Sequence, residues 1–149
     1  MKSRLTTSAL VVGYITYGIL PKHILLVRET ALGLNLKPEE VFAVHPRIRW
    51  AGLATRKGGV IFAQMREGVT SLTPNSDDLS VLEIRSQYII ESAELESKWV
   101  GALEHITFCF EKFVELIVPL KNSYVAITVE KDVPPESYPR ISRAIRELE

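Results

Sequence analysis

The sequence of 149 residues holds a single cysteine, Cys109, so it forms no disulfide within the chain and no zinc site built from several thiolates. A reducing compartment, the cytoplasm, suits such a chain. Phe108 and Phe110 on either side mark Cys109 as a small apolar residue packed inside a strand rather than a nucleophile. Net charge is also missing: 18 Lys and Arg balance 18 Asp and Glu, which leaves no global field to draw nucleic acid or an anionic membrane. Nucleic acid is therefore not an expected partner. Neither GxxxxGK[ST] nor GxGxxG occurs, which removes the usual glycine-rich phosphate cradles; Gly58 and Gly59 read as a hairpin turn. His23, His45 and His105 fall in separate elements without HExxH spacing, and no serine sits in GxSxG. No metal, cofactor or catalytic residue is expected. His105 alone has the chemistry of an acid or base on its strand, against the plainer reading of a hydrogen-bonded edge or core residue.

A long uninterrupted apolar run is absent as well. Lys2 and Arg4 precede the apolar stretch Ala9 to Leu20 in the manner of a signal peptide, but Pro21, Lys22 and His23 break it and no small-x-small cleavage triplet follows. A membrane span needs about 20 predominantly apolar residues. Residues 1–36 thus read as a short anchor, a signal-like segment, a mis-assigned start, or an extra strand or helix laid on the domain. Membrane contact, through residues 1–27, is expected only if the anchor reading holds.

What remains, residues 37–149, reads as one globular domain, in a chain that is 46% hydrophobic and 24% charged. Asn35, Pro38, Glu39 and Glu40 predict a capped short helix that Pro46 closes. Arg49 to Thr55, the turn Arg56 to Gly59, and Val60 to Met65 predict a β-hairpin. Arg66 to Asn75 reads as a loop. Ser76, Asp77 and Asp78 then open a long helix that meets no Gly or Pro before Gly101. On it, Leu79, Leu82, Ile89, Ile90 and Ala93 share one face, the expected core contact. Val81, Ile84, Tyr88 and Leu95 form a second apolar stripe roughly opposite. A helix on one side of a sheet needs only one such face, so the second is covered by a loop or the N-terminal segment, or else it meets a partner, most simply a second copy. Glu104 to Glu111, Phe113 to Leu120 and Tyr124 to Glu130 predict three strands, and a final helix carries Tyr138, Ile141, Ile145 and Leu148 on one stripe. The order α-β-β-α-β-β-β-α makes an α+β layered domain.

The charged pairs Glu39/Glu40 and Asp77/Asp78 sit in first turns, where they complement helix dipoles rather than form a catalytic dyad. Arg47, Arg49, Arg56, Lys57 and Arg66 concentrate positive charge around the first hairpin. That cluster reads either as a patch for an acidic partner or phosphate, or as arginines whose stems cover apolar surface. Arg140, Arg143 and Arg146 lie on the polar face of the last helix and read as solvated surface.

The phrases HPRIRWAGLATRKGGV, MREGVTSL and FEKFVELIVPL, with this element order, make the chain from about Lys37 to Glu149 resemble the roadblock/longin-type domains of the profilin-like fold, and most closely an archaeal branch of roadblock-like proteins. The resemblance implies a five-stranded antiparallel sheet with the strand of Glu104 to Glu111 at one edge. It further implies a non-enzymatic, homodimerising scaffold that pairs this edge and the long helix with a second copy and recruits a protein such as a small GTPase. Val81, Ile84, Tyr88 and Leu95, with Ile106 and Phe108 of the edge strand, are then the expected dimer contacts. The N-terminal apolar segment and the short first helix depart from the pattern. The alternative is a ligand-sensing domain with a pocket between sheet and helices, lined by Trp50, Phe62, Trp99 and Tyr124.

Overall fold

In a computed structural model, residues 35–149 are described. The expectations placed on residues 1–34, including the anchor, signal-like and extra-element readings and His23, fall outside them. Ile48–Thr55 forms β1 and Val60–Met65 forms β2, an antiparallel hairpin. Its turn is held by the Thr55 carbonyl, which accepts the Gly58 N–H at 3.0 Å, and Gly58 has a φ of 86° that a side chain would resist. Ile106–Cys109, Phe113–Pro119 and Ser123–Glu130 form β3, β4 and β5, a meander in which each strand pairs antiparallel with the next. β5 then pairs with β1, giving the order β2-β1-β5-β4-β3. The five-stranded antiparallel sheet and the edge position of β3 match the expectation.

Alternation along each strand builds two cores. Ala51, Leu53, Val114, Leu116, Val118, Val125, Ile127 and Val129 face one side. Helix α1, Pro38–Val44, and helix α5, Tyr138–Arg146, cover them with Val41, Tyr138, Ile141 and Ile145. The stripe expected on the last helix is the face that packs. Helix α1 begins later than Asn35 suggested: Pro38 is its first residue, and the Lys37 N–H donates to the Glu40 carboxylate at 2.8 Å.

The opposite side carries Trp50, Ala54, Ile117, Tyr124 and Ala126 under the long helix. That helix is not uniform. It comprises α2, Asn75–Ile84, a π-helical turn over Arg85–Ile90, and α3, Glu91–Glu94; a turn then leads to α4, Ser97–Val100. Pro74, not Ser76, occupies the position before its first turn, while Asp77 and Asp78 fall in that turn as expected. The π turn selects within the expected core face, which includes both Leu82 and Ile90. In a regular helix Leu82 and Ile89, seven residues apart, lie in phase. One inserted residue passes that phase to Ile90, and Leu82 and Ile90 are the fully buried pair while Leu79 is exposed. The helix approaches β1 closely over Gly52, where an added Cβ would stand 2.9 Å from Leu82 Cδ1 and 2.5 Å from the Trp50 ring. Tyr124, fully buried in the sheet, donates its hydroxyl to the Leu82 carbonyl and ties the two layers together.

Candidate functional site

The second apolar stripe of the long helix is open. Val81, Ile84, Tyr88 and Leu95 are exposed to 36%, 55%, 68% and 67%, and beyond them Trp99 reaches 87%. The stripe belongs to a helix whose start packs on β1 and β2. Arg85, on its near flank, lies over the Phe108 ring at 4.2 Å, whereas Glu94, on its far flank, pairs with Arg56 at the end of β1 at 2.6 Å. β3 pairs with β4 on one side only, and its outer edge has no partner strand among the described residues. Arg85 is the link between the helix that bears the stripe and the strand with the open edge. Ile106 and Phe108 contribute differently from the expectation for them: both are half-buried against the core beneath the helix, so at this edge the strand offers backbone rather than these two side chains.

Beneath the near flank of the helix, Arg85 forms an ion pair with Glu115 of β4, and both side chains are almost wholly buried. Burial pushes the Glu115 carboxyl above its ordinary value, with the Arg85 charge and hydrogen bond opposing the rise and Asp78 adding to it. The pair sits in a groove of about 430 Å³ between the start of α2, the loop Ser71–Thr73 and the turn after β3. Leu72, Val81, Trp50, Met65, Phe110 and Phe113 give it a largely apolar lining. Its polar groups are engaged with the fold: Asp78 accepts from Thr73 at 2.6 Å, and Arg49 pairs with Glu130 at 2.6 Å. The aromatic set expected around a ligand pocket is not assembled. Trp50 lines this groove, Tyr124 is buried in the same layer, Phe62 packs on the other face of the sheet, and Trp99 is in solvent.

The basic patch expected around the first hairpin is dispersed, because four of its five members are used internally. Arg47 bonds both oxygens of Asp132, at 2.7 and 2.8 Å. Arg49 engages Glu130 and the Thr70 carbonyl, and Arg56 engages Glu94 and the Leu120 carbonyl. Arg66 donates to the carbonyls of Ile48, Phe42 and His45 at 2.6 to 2.8 Å and lies over the Phe42 ring at 5.0 Å, tying α1 to the hairpin. Lys57 stays exposed at the turn. The acids that neutralise these arginines lie 38 to 85 residues away in sequence, so no local pattern announces them.

Two single residues also differ from expectation. Cys109 is exposed, not packed inside its strand, and its Sγ accepts from Lys131 Nζ at 2.8 Å. It ends a strand whose alternation turns odd-numbered side chains away from the long helix. His105 precedes β3 half-buried, with Nδ1 inaccessible and without a hydrogen-bond partner. Among the described residues, no three His, Cys, Asp or Glu side chains group in a way that could hold a metal ion, and no helix is long and apolar enough to cross a membrane.

The sequence matches no family model and no curated protein. Solved structures do match. The gliding protein MglB from Thermus thermophilus aligns with a TM-score of 0.56 at 13% identity, over 90% of this chain and 93% of that one. An MglB structure with a tetrameric arrangement aligns with the same score, identity and coverage. A roadblock/LC7 domain from Streptomyces avermitilis aligns with a TM-score of 0.54 at 11% identity, over 74% and 86% of the two chains. The chain has the roadblock-type fold, an α+β five-stranded sheet layered between helices.

Proposed function

We propose that this protein is a non-enzymatic regulatory scaffold that forms a homodimer through the long helix and the β3 edge and recruits a protein partner. The carrying observation is the exposed stripe of Val81, Ile84, Tyr88 and Leu95, together with a β3 edge that no strand among the described residues pairs. Large contiguous apolar patches on soluble chains mark association surfaces, and an unpaired edge is a template for a further strand. A second copy is the simplest occupant, since a two-fold axis beside β3 satisfies both features of both chains at once. The roadblock-type fold supports the scaffold role, and MglB, which shares the fold, occurs in a tetrameric arrangement. The partner class implied by the sequence resemblance is a small GTPase. With Arg47, Arg49 and Arg56 paired to acids and Arg66 bonded to backbone carbonyls, that partner is recruited through a surface other than these four arginines.

Light scattering of the full chain across a dilution series tests the reading. A mass twice that of the chain, persisting on dilution, supports it. A mass equal to one chain at every concentration overturns it.

A further inference from the structure

Trp99 and the groove beside α2 are the two features that the dimer reading leaves unused. An indole exposed to 87% on a folded domain, followed by Val100 at 80%, is a large apolar surface with no partner among the described residues. The groove, about 430 Å³, is large enough for an indole, and its lining is largely apolar. We infer that Trp99 of each copy inserts into this groove of the other, so that each groove is completed only by the second chain. The inference rests on the homodimer proposed above.

The geometry follows from the direction of the long helix. Its N-terminal end, at Asp78 and Val81, meets the turn after β3 at Phe110 to Lys112. Its far end, at Glu94, lies with Leu103, Pro119 and Leu120, beside the start of β3, because Ile106 pairs with Ile117. The helix thus runs antiparallel to β3. A two-fold axis that pairs two β3 edges makes them antiparallel and passes near the middle of the strand, where Arg85 covers Phe108. Each helix then lies antiparallel to its counterpart about a point near Arg85. Trp99, beyond the C-terminal end of one long helix, is thereby brought toward the N-terminal end of the other, where Phe110 to Lys112 form the rim of the groove nearest β3.

The chemistry agrees with the placement. A buried indole N–H needs an acceptor, and the groove offers the carboxylate of Glu111 at its rim. Lys98 and Glu96 beside Trp99 are opposite in sign to Glu111 and Lys112 at the groove rim, and all four are exposed. Tryptophan is among the residue types enriched where one side chain anchors an interface in a desolvated pocket.

Acrylamide quenching of the full chain reads the insertion directly, because the sequence has 2 tryptophans and Trp50 is shielded in the core. The accessible Trp99 of an Ile84→Asp monomer supplies the reference. The expected result is that the dimer hides Trp99 from the quencher, and that Trp99→Ala and Leu72→Arg each weaken dimerisation at least tenfold with far-UV circular dichroism unchanged. A doubled mass with Trp99 open to the quencher, or a Trp99→Ala dimer of unchanged affinity, overturns the insertion and leaves the homodimer standing. A monomer at every concentration overturns the homodimer and the insertion with it.

Discussion

Arg85 and Glu115 are paired across the space between helix and sheet, with the Arg85 guanidinium lying on the Phe108 ring and the Glu115 carboxylate almost sealed from water. Each charge is tolerated there because of the other. Removing one partner leaves the other buried and uncompensated, which typically costs about 3–5 kcal/mol, while replacing both by apolar residues is often near neutral. Urea unfolding should therefore show Arg85→Met to be far more damaging than the double variant Arg85→Met/Glu115→Leu. Equal losses would mean that packing on Phe108, not charge, is what Arg85 provides.

The same pair sets a pH dependence. Burial raises the Glu115 pKa in the folded state, with Asp78 adding to the rise and Arg85 opposing it. A carboxyl whose folded pKa lies above its unfolded one binds its proton more tightly in the native state. Its contribution is thus fully present below the ordinary carboxylate value and is lost as pH rises through the raised one. The stability of the wild type relative to Glu115→Gln should fall across that window. A difference that stays flat or grows with pH would contradict the assignment.

Leu82 and Ile84 separate core from surface within one helical turn. Leu82 is fully buried, so Leu82→Asp should abolish folding by placing an unpaired charge in the core. Ile84→Asp and Tyr88→Asp, at positions more than half exposed, should leave far-UV circular dichroism intact and halve the solution mass. If all three unfold the domain alike, the stripe is an internal contact.

Gly52→Ala tests how closely the long helix lies on β1. The new methyl would meet Trp50 and Leu82 at 2.5 and 2.9 Å, inside contact distance, and overpacking of this kind costs about 1–3 kcal/mol. The midpoint of urea unfolding should drop accordingly, and an unchanged midpoint would mean that the helix can lift.

Arg66→Lys should behave as a loss of function for the scaffold's own frame. A lysine cannot reproduce the planar fork that reaches three backbone carbonyls on two elements. Thermal melting should show Arg66→Lys nearly as destabilised as Arg66→Ala, with full rescue by lysine counting against the cradle.

Local chemistry made much of the fold legible. The bounds of β2, the hairpin turn at Gly58, the stripe Tyr138, Ile141 and Ile145, and the exposed stripe on the long helix all follow from periodicity and turn residues. The π turn was invisible because no Gly or Pro marks it; the sequence RSQYII is ordinary helix. Its presence coincides with the Arg85 to Glu115 pair, a contact between residues thirty positions apart. The fate of Arg47, Arg49 and Arg56 was illegible for the same reason, since only the folded sheet brings their acids within reach. Cys109 was misplaced because flanking phenylalanines do not reveal which face of an edge strand is left uncovered.

The strand order also carries a kinetic consequence. β1–β2 is a local hairpin and β3–β4–β5 a local meander, so each can form early from neighbouring residues. They meet only along the β1/β5 seam, where Ala51 sits opposite Ile127 and Gly52 opposite Ala126, and closing that seam loops out the whole long helix. Loop closure of this kind is the costly step in reaching a folding transition state. Stopped-flow refolding should find that Ala51→Gly slows folding, whereas Thr107→Gly at the far edge mainly speeds unfolding. The chain is thus two quickly made halves that wait on a single zipper down the middle of the sheet.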